Sequence, residues 1–238
     1  NDIVGQLDLE ELHLEKVVVL NGFINFYIKR EYLANIVFEI LRLKEDFGQL
    51  NIGEGQNVNI EFVSANPTGY LHIGHGRGAA YGDSLTRIMR KAGYQVTTEH
   101  YVNDAGNQIN NLILSIYERY RELFGLPFQL GDDSYHGPEI IEIAKKIRDL
   151  KDDYYLHHPF EEDFRSFGLE FLINGLKKDL HDFRVEFDIW FSEKSLYDNG
   201  EVQKTLEFLK NNDFTYEEEG ATWLKTTLYG DEKDRVII

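Results

Sequence analysis

Residues 64–83 read SANPTGYLHIGHGRGAAYGD, which is five glycines, one proline, two histidines and one arginine in twenty residues. The apolar run VNIEFV (58–63) comes just before, and a helix-compatible stretch, AYGDSLTRIMRKAG (80–93), follows. A helix that starts straight after a strand turns unpaired backbone N–H groups and the positive end of its dipole toward one point, and phosphate oxygens suit that point. Gly74, Gly76 and Gly78 let a ligand approach the backbone closely. His72 and His75 add donors that can follow charge as it grows on a phosphate. Pro67 stiffens the loop, and Asn66 offers a donor and an acceptor at the strand's carboxyl end, the edge where open α/β sheets bind ligands. Two simpler readings compete. One is a turn that only joins strand to helix; the other is a metal on the i, i+3 histidine pair, for which no third ligand of suitable spacing lies nearby. The dinucleotide fingerprint fails on its glycine spacing, and the Walker lysine is missing.

Working outward, the helix is expected from about 75 to 92, closed by Gly93, and YQVTTEHYV (94–102) reads as a second strand. The segment is then a strand–helix–strand unit of about 45 residues, the building block of a parallel sheet covered by helices. Upstream, VVVLNGFINFYI (17–28) reads as two strands turning at Asn21-Gly22. REYLANIVFEILRLKEDFG (30–48) carries a helical apolar stripe that Gly48 is expected to stop, and NIGEGQN (51–57) reads as a linker. Downstream, the pattern is helical from 107 to 180, with the loop DDYYLHHPF (152–160) inside it. From 187 onward short strands surround one helix, which suggests a small α+β insert. In NIEFVS (59–64) the alternation places Glu61 on one face with Val63.

The chain as a whole narrows the classes. Its 238 residues, 42% hydrophobic, can fill one large or two modest cores. No apolar run is long enough to cross a membrane, and the first residues have no export signal. The absence of cysteine removes disulfides and thiolate metal sites. A formal net charge of −17 argues against a dedicated nucleic-acid binder, so a polyanion partner must be gripped mostly elsewhere. The first residue is not Met and the chain stops in the strand-like DRVII, so both ends read as cuts through a longer protein.

The segment EFVSANPTGYLHIGHGRGAAYGDSLTRIMRKAGYQVTTEHYVNDAGNQI (61–109) closely resembles the catalytic domain of bacterial arginyl-tRNA synthetases, class I aminoacyl-tRNA synthetases. The resemblance resumes in FDIWFSEKSLYDNGEV (187–202) and GATWLKTTLYGDEKDRVII (220–238), and begins in NGFINFYIKREYLANI (21–36). It implies an α/β fold: the first half of a Rossmann-like nucleotide-binding domain with a parallel sheet, plus helical and α+β insertions. The implied organisation is the end of a tRNA-contacting domain at 1–28, a connecting helix and linker at 29–56, and the first half of the catalytic domain at 57–107. A helical insertion at 108–160, a catalytic-domain helix at 161–188 and a truncated α+β insertion at 189–238 complete it.

The resemblance also implies the chemistry. Such enzymes activate L-arginine with ATP and Mg2+, then transfer the arginyl group to tRNA(Arg). On that template His72 and His75 are the catalytic pair, and Ala65, Asn66, Pro67, Thr68, Gly69, Tyr70, Leu71, His72, Ile73, Gly74 and His75 line the ATP site, Gly74 making room for adenine. Glu61, Ser64, Asn66, His72, Asp104 and Gln108 are the expected arginine-binding positions, although Asp104 could equally be a plain helix cap. No zinc or other resident metal, no membrane, a monomeric parent and a cytoplasmic location are expected. A mobile lysine-containing loop and a helical anticodon-binding domain belong to the family but not to this sequence, so the chain alone is expected to be inactive. Some relatives without that loop lysine place a lysine at the position of Gly69, so a downstream loop is expected to keep its own. Two other readings stay open, a different nucleotidyltransferase with the same histidine turn and a non-catalytic nucleotide- or RNA-binding module.

Overall fold

In the computed structural model, residues 3–237 are described, and they fall into two compact units. The first comprises residues 1–56 together with 90–94. Its hairpin pairs β1 (Leu14–Leu20) antiparallel to β2 (Phe23–Ile28) across Asn21 and Gly22, both at positive φ (51° and 81°) as a tight hairpin turn requires. The helix α1 (Arg30–Leu43) follows, and His13 stacks on its Tyr32 with ring centroids 4.4 Å apart. The helix ends at Leu43, earlier than Gly48, because Lys44 turns to φ 50° and starts a short 3-10 turn. The stripe read from sequence is present, but Tyr32, Leu33, Val37, Ile40 and Leu41 on it stay exposed. The expected linker is instead a bonded turn. Leu50, Gly53 and Gly55 donate their N–H groups to the carbonyls of Lys91, Ala92 and Gly93. Glycine is required at both sides of that contact, since a Cβ at Gly53 would meet Tyr94 at 2.6 Å and one at Gly93 would meet Leu50 O at 2.8 Å.

The second unit holds residues 57–89 and 95–238. Its sheet runs β3 (Asn57–Glu61), β4 (Gln95–Val102), β5 (Ile189–Ser192), in that spatial order and all parallel. The pairing of His100 with Trp190 and Tyr101 with Phe191 corrects the sequence reading that began the α+β insert at 189. Residues 189–192 belong to the parallel sheet, and Thr98 fixes their entry by exchanging hydrogen bonds with Asp188 (Oγ1 to Oδ2 2.9 Å, Asp188 N to Oγ1 3.0 Å). Between β3 and β4 runs α2 (Ile73–Lys91), which packs on the sheet where Ala79 is fully buried against Leu180 and Val185, with Phe62, Leu71, Phe187 and Trp190 around them. A Cβ at Gly82 would lie 2.2 Å from the Phe62 ring, so this glycine sets the spacing of helix and sheet.

The helices α3 (Asn107–Glu122), α4 (Pro138–Lys151) and α5 (Glu161–Asp182) enclose the main core. Isoleucines recurring every three or four residues build it: Ile109, Ile113 and Ile116 on α3, and Ile140, Ile143 and Ile147 on α4. Tyr120, Tyr155 and Phe164 close one end as an edge-to-face cluster. The C-terminal part has two helices, α6 (Lys194–Asp198) and α7 (Glu201–Asn211), followed by an antiparallel sheet of β6 (Thr215–Glu218), β7 (Ala221–Leu224) and β8 (Arg235–Val236).

Candidate active site

The strand β3 stops at Glu61, and the backbone then enters the left-handed region at Val63 (φ 66°) and Ser64 (φ 40°). That turn ends the alternation. Val63 packs with Phe62 against the sheet-side cluster instead of sharing a face with Glu61, contrary to the pattern read from the sequence. Glu61 stays exposed and accepts a hydrogen bond from Ser64 Oγ at 2.7 Å. The same hydroxyl accepts from the backbone N–H of Tyr101 at 3.1 Å, so Ser64 ties the ends of β3 and β4 together. Ala65 and Pro67 are buried and anchor the turn, while Asn66 between them is exposed. Its Nδ2 donates to Gln108 Oε1, 2.9 Å away on α3.

The two histidines cap α2 reciprocally. His72 stands just ahead of the first helical residue, and its Nδ1 accepts from the Gly74 N–H at 3.1 Å. His75 reaches back, and its Nδ1 accepts from the His72 N–H at 3.3 Å. This is the logic of a capping box with imidazoles in both roles. A backbone N–H only donates, so each Nδ1 must be unprotonated and each neutral ring carries its proton on Nε2. The rings stack with centroids 3.8 Å apart, and burial followed by the neighbouring His72 pushes the His75 pKa down. Two neutral Nε2–H donors therefore stand at the amino end of a 19-residue helix. A Cβ on Gly74 would sit 2.9 Å from His72 Cε1, so this glycine is needed by the imidazole itself, a reason separate from room for a ligand.

The remaining expected residues divide. Glu61 with Ser64, Asn66 with Gln108, and His72 with His75 form three bonded pairs around the carboxyl end of β3. Asp104 is engaged elsewhere: its carboxylate accepts from Ser192 Oγ (2.6 Å) and from Lys194 N (2.8 Å), the first N–H of α6. It does not cap α3, whose preceding residue is Gly106. Thr68 N donates to Asn66 O at 2.8 Å, and Ile73 is exposed. No group of three His, Asp or Glu side chains suited to a metal occurs among the described residues, and none of their helices is long and apolar enough to cross a membrane.

His100 carries no signal in the sequence, yet it lies fully buried behind the site. It stacks on Trp190 at 4.3 Å and meets the Phe187 edge at 5.4 Å. Neither ring nitrogen has a hydrogen-bond partner. Burial lowers its pKa from 6.5 to about 4, with the nearby backbone of Tyr101, at longer than hydrogen-bond geometry, and then the Glu61 carboxylate opposing only in part. Above the ordinary value both folded and unfolded rings are neutral, and nothing is lost. As pH falls from 6.5 toward 4 the unfolded chain takes up a proton that the folded chain refuses, so stability drains away through that window. In urea unfolding, wild type is expected to lose about 2 kcal/mol more than His100→Leu between about pH 7.5 and about pH 5. Parallel pH profiles for the two proteins would show that the ring is not buried neutral.

A parallel strand, a left-handed turn and a helix that opens on two imidazoles form one strand–turn–helix unit at the carboxyl edge of an open α/β sheet. The family model for "tRNA synthetases class I (R), catalytic domain" matches residues 36–238, and the chain belongs to that family. The arginine–tRNA ligase of Bacillus subtilis is 48% identical over 241 residues, an alignment that takes in 100% of this chain and 43% of that protein. The chain thus spans less than half the length of the curated relatives it matches. A solved Campylobacter jejuni arginyl-tRNA synthetase superposes with TM-score 0.75 at 36% identity, over 87% of this chain and 46% of that one. The Thermus thermophilus arginyl-tRNA synthetase, 22% identical over 100% of this chain and 40% of its own, shares the fold with TM-score 0.54.

Proposed function

We propose that the chain forms the ATP-facing half of an adenylation site in an arginine–tRNA ligase. The observation that carries this reading is the capped amino end of α2, where His72 and His75 each keep an Nε2–H free to donate. In the reaction, a carboxylate oxygen of arginine attacks the α-phosphorus of ATP and pyrophosphate leaves, forming arginyl-adenylate. A ribose hydroxyl at the end of tRNA(Arg) then attacks the acyl carbon, and AMP departs. The turn 65–75 holds the nucleotide, and the two Nε2–H groups donate to phosphate oxygens as negative charge concentrates on them. The neutral state fits this task, because a donor is needed and two imidazolium rings 3.8 Å apart would repel. Mg2+ would arrive coordinated to the phosphates, since hard cations of this kind keep mostly phosphate and water oxygens. A monomeric, cytoplasmic parent belongs to the same proposal.

Arginine is assigned to the space beside Glu61, Ser64, Asn66 and Gln108. Glu61 spends one oxygen on Ser64, which orients the carboxylate and leaves lone pairs for a cationic substrate. Asp104 contributes through Ser192 and Lys194, by fixing the wall that β4 and β5 share. The test is arginine-dependent ATP–pyrophosphate exchange by the complete protein, with and without tRNA. Exchange is expected with tRNA present, and none from residues 1–238 alone, because positioning two substrates fails when part of the site is missing. Glu61→Gln should raise the arginine KM by about tenfold or more and leave the ATP KM within about twofold, as one charge-assisted contact is lost. Equal shifts in both constants would remove Glu61 from the arginine site.

A further inference from the structure

The helix α4 lies far along the chain from the histidine turn, yet it touches the turn at two consecutive residues. Tyr70 Oη donates to Glu142 Oε2 at 3.0 Å, across 72 positions of sequence. Tyr70 is 47% exposed, and the partial burial of its phenol, followed by this carboxylate, raises its pKa, so the hydroxyl stays the donor in the bond. One turn earlier on α4, Glu139 is 7% exposed and folds back over the start of its own helix. A Cβ at Gly137 would meet its Oε1 at 2.0 Å, and one at Gly69 would stand 3.2 Å from the same oxygen. The Glu139 carboxylate is thus wedged between the α4 amino terminus, whose dipole favours it, and the backbone of Gly69. The Tyr70 ring itself lines a cavity of about 500 Å3 between α4 and α5, with Ile143, Ile147, Phe167 and Phe171.

These contacts sit two and three residues ahead of His72, and the pair 69–70 has no other side-chain hydrogen bond to a neighbouring element among the described residues. We infer that α4 is the rear support of the histidine turn, with Glu142 and Glu139 as positioning residues that fix where His72 and His75 present their Nε2–H groups. The support acts through geometry. Glu142 holds the Tyr70 hydroxyl, Glu139 fills the space behind Gly69, and the chain from 69 to 72 is left little freedom to retreat. A turn that slips by a fraction of an ångström places the donors off the line of the growing charge, and catalysis is sensitive to such shifts.

This inference rests on the adenylation reading, and the experiment separates the two. Arginine-dependent ATP–pyrophosphate exchange would be measured, with tRNA present throughout, for the complete protein as wild type, Tyr70→Phe, Glu142→Ala, Glu142→Gln and the double variant Tyr70→Phe/Glu142→Ala. Each of the first two is expected to lower kcat/KM for ATP by about fivefold to tenfold, and the double variant by no more than either, since one bond is lost in all three. Glu142→Gln keeps an oxygen acceptor and should recover most of the rate, while the arginine KM stays within about twofold throughout. Active wild type with unchanged Tyr70→Phe and Glu142→Ala, or losses that multiply in the double variant, would overturn the support role. Wild type without arginine-dependent exchange would overturn the adenylation reading instead.

Discussion

Replacing His72 with asparagine in the complete protein is expected to lower kcat for arginine-dependent pyrophosphate exchange by about 10²- to 10³-fold, with little change in stability. The reasoning turns on the two nitrogens of one ring. Asparagine places its side-chain oxygen where Nδ1 now accepts from the Gly74 N–H, and it is among the best residues for that capping role. It has nothing at the distance of Nε2, so the donor to phosphate disappears. Glutamine does the opposite, reaching as far as Nε2 with an amide donor while giving up the near acceptor. His72→Gln should therefore lose less rate and more helix stability, by about 1 kcal/mol for the missing cap. Alanine removes both functions and cannot tell them apart. If the asparagine and glutamine variants lost rate equally, the Nε2–H would not be the group that stabilises the transition state.

The largest expected effect on stability lies in the helical core. Phe164→Ala should cost about 3–5 kcal/mol, read as a lower urea midpoint. The side chain is fully buried at the centre of an aromatic cluster: edge-to-face with Tyr120 at 5.4 Å, Tyr155 at 5.2 Å, Phe160 at 5.3 Å and Tyr117 at 5.8 Å. Those partners cannot collapse easily into the space, because several are held by polar contacts at their far ends. Tyr155 Oη donates to Asp163 at 2.7 Å and Tyr120 Oη donates to the Asp152 carbonyl. The cavity term then adds to the lost burial. Phe164→Leu, which refills most of the volume, should cost about 1.5 kcal/mol. A loss below about 1 kcal/mol for alanine would mean that the cluster closes over the gap after all.

The strand–turn–helix core was legible in the sequence because its signals are local. β3, β4 and α2 follow from an apolar run, a glycine cluster and a second apolar run, and all three are present, with β3 ending two residues early at Glu61. The start of α2 is less legible. It begins at Ile73, inside a stretch whose glycines argue against helix, because the His72 and His75 side chains supply caps that propensity does not count. A four-residue run such as IWFS (189–192) cannot announce which sheet it joins; its pairing with β4 and the ties from Asp188 to Thr98 are contacts between distant segments. Contacts across long separations leave no local trace. That is why Glu139, Glu142 and the buried His100 carry no mark in the chain, and why the bonds that Asp104 accepts from Ser192 and Lys194 could not be read there either. The expected linker at 51–57 hides its bonds for the same reason, since the partners of Gly53 and Gly55 are Ala92 and Gly93, just past the end of α2.

Val63 deserves a population geneticist's question: which mutations would a lineage accept there? A β-branched residue at φ 66° is poorly placed, and relief of such strain is worth about 1–3 kcal/mol. Glycine would relax the backbone but empty the place the side chain fills beside Phe62 and Leu71. Asparagine tolerates the conformation but would bring an amide into an apolar cluster. Each single step that relieves one constraint violates another, so the route to a more comfortable sequence runs through a less fit intermediate. Paired changes at 62 or 71 are the exits. A mutational library over these three positions should yield its stable members as combinations, with few single substitutions at 63 among them.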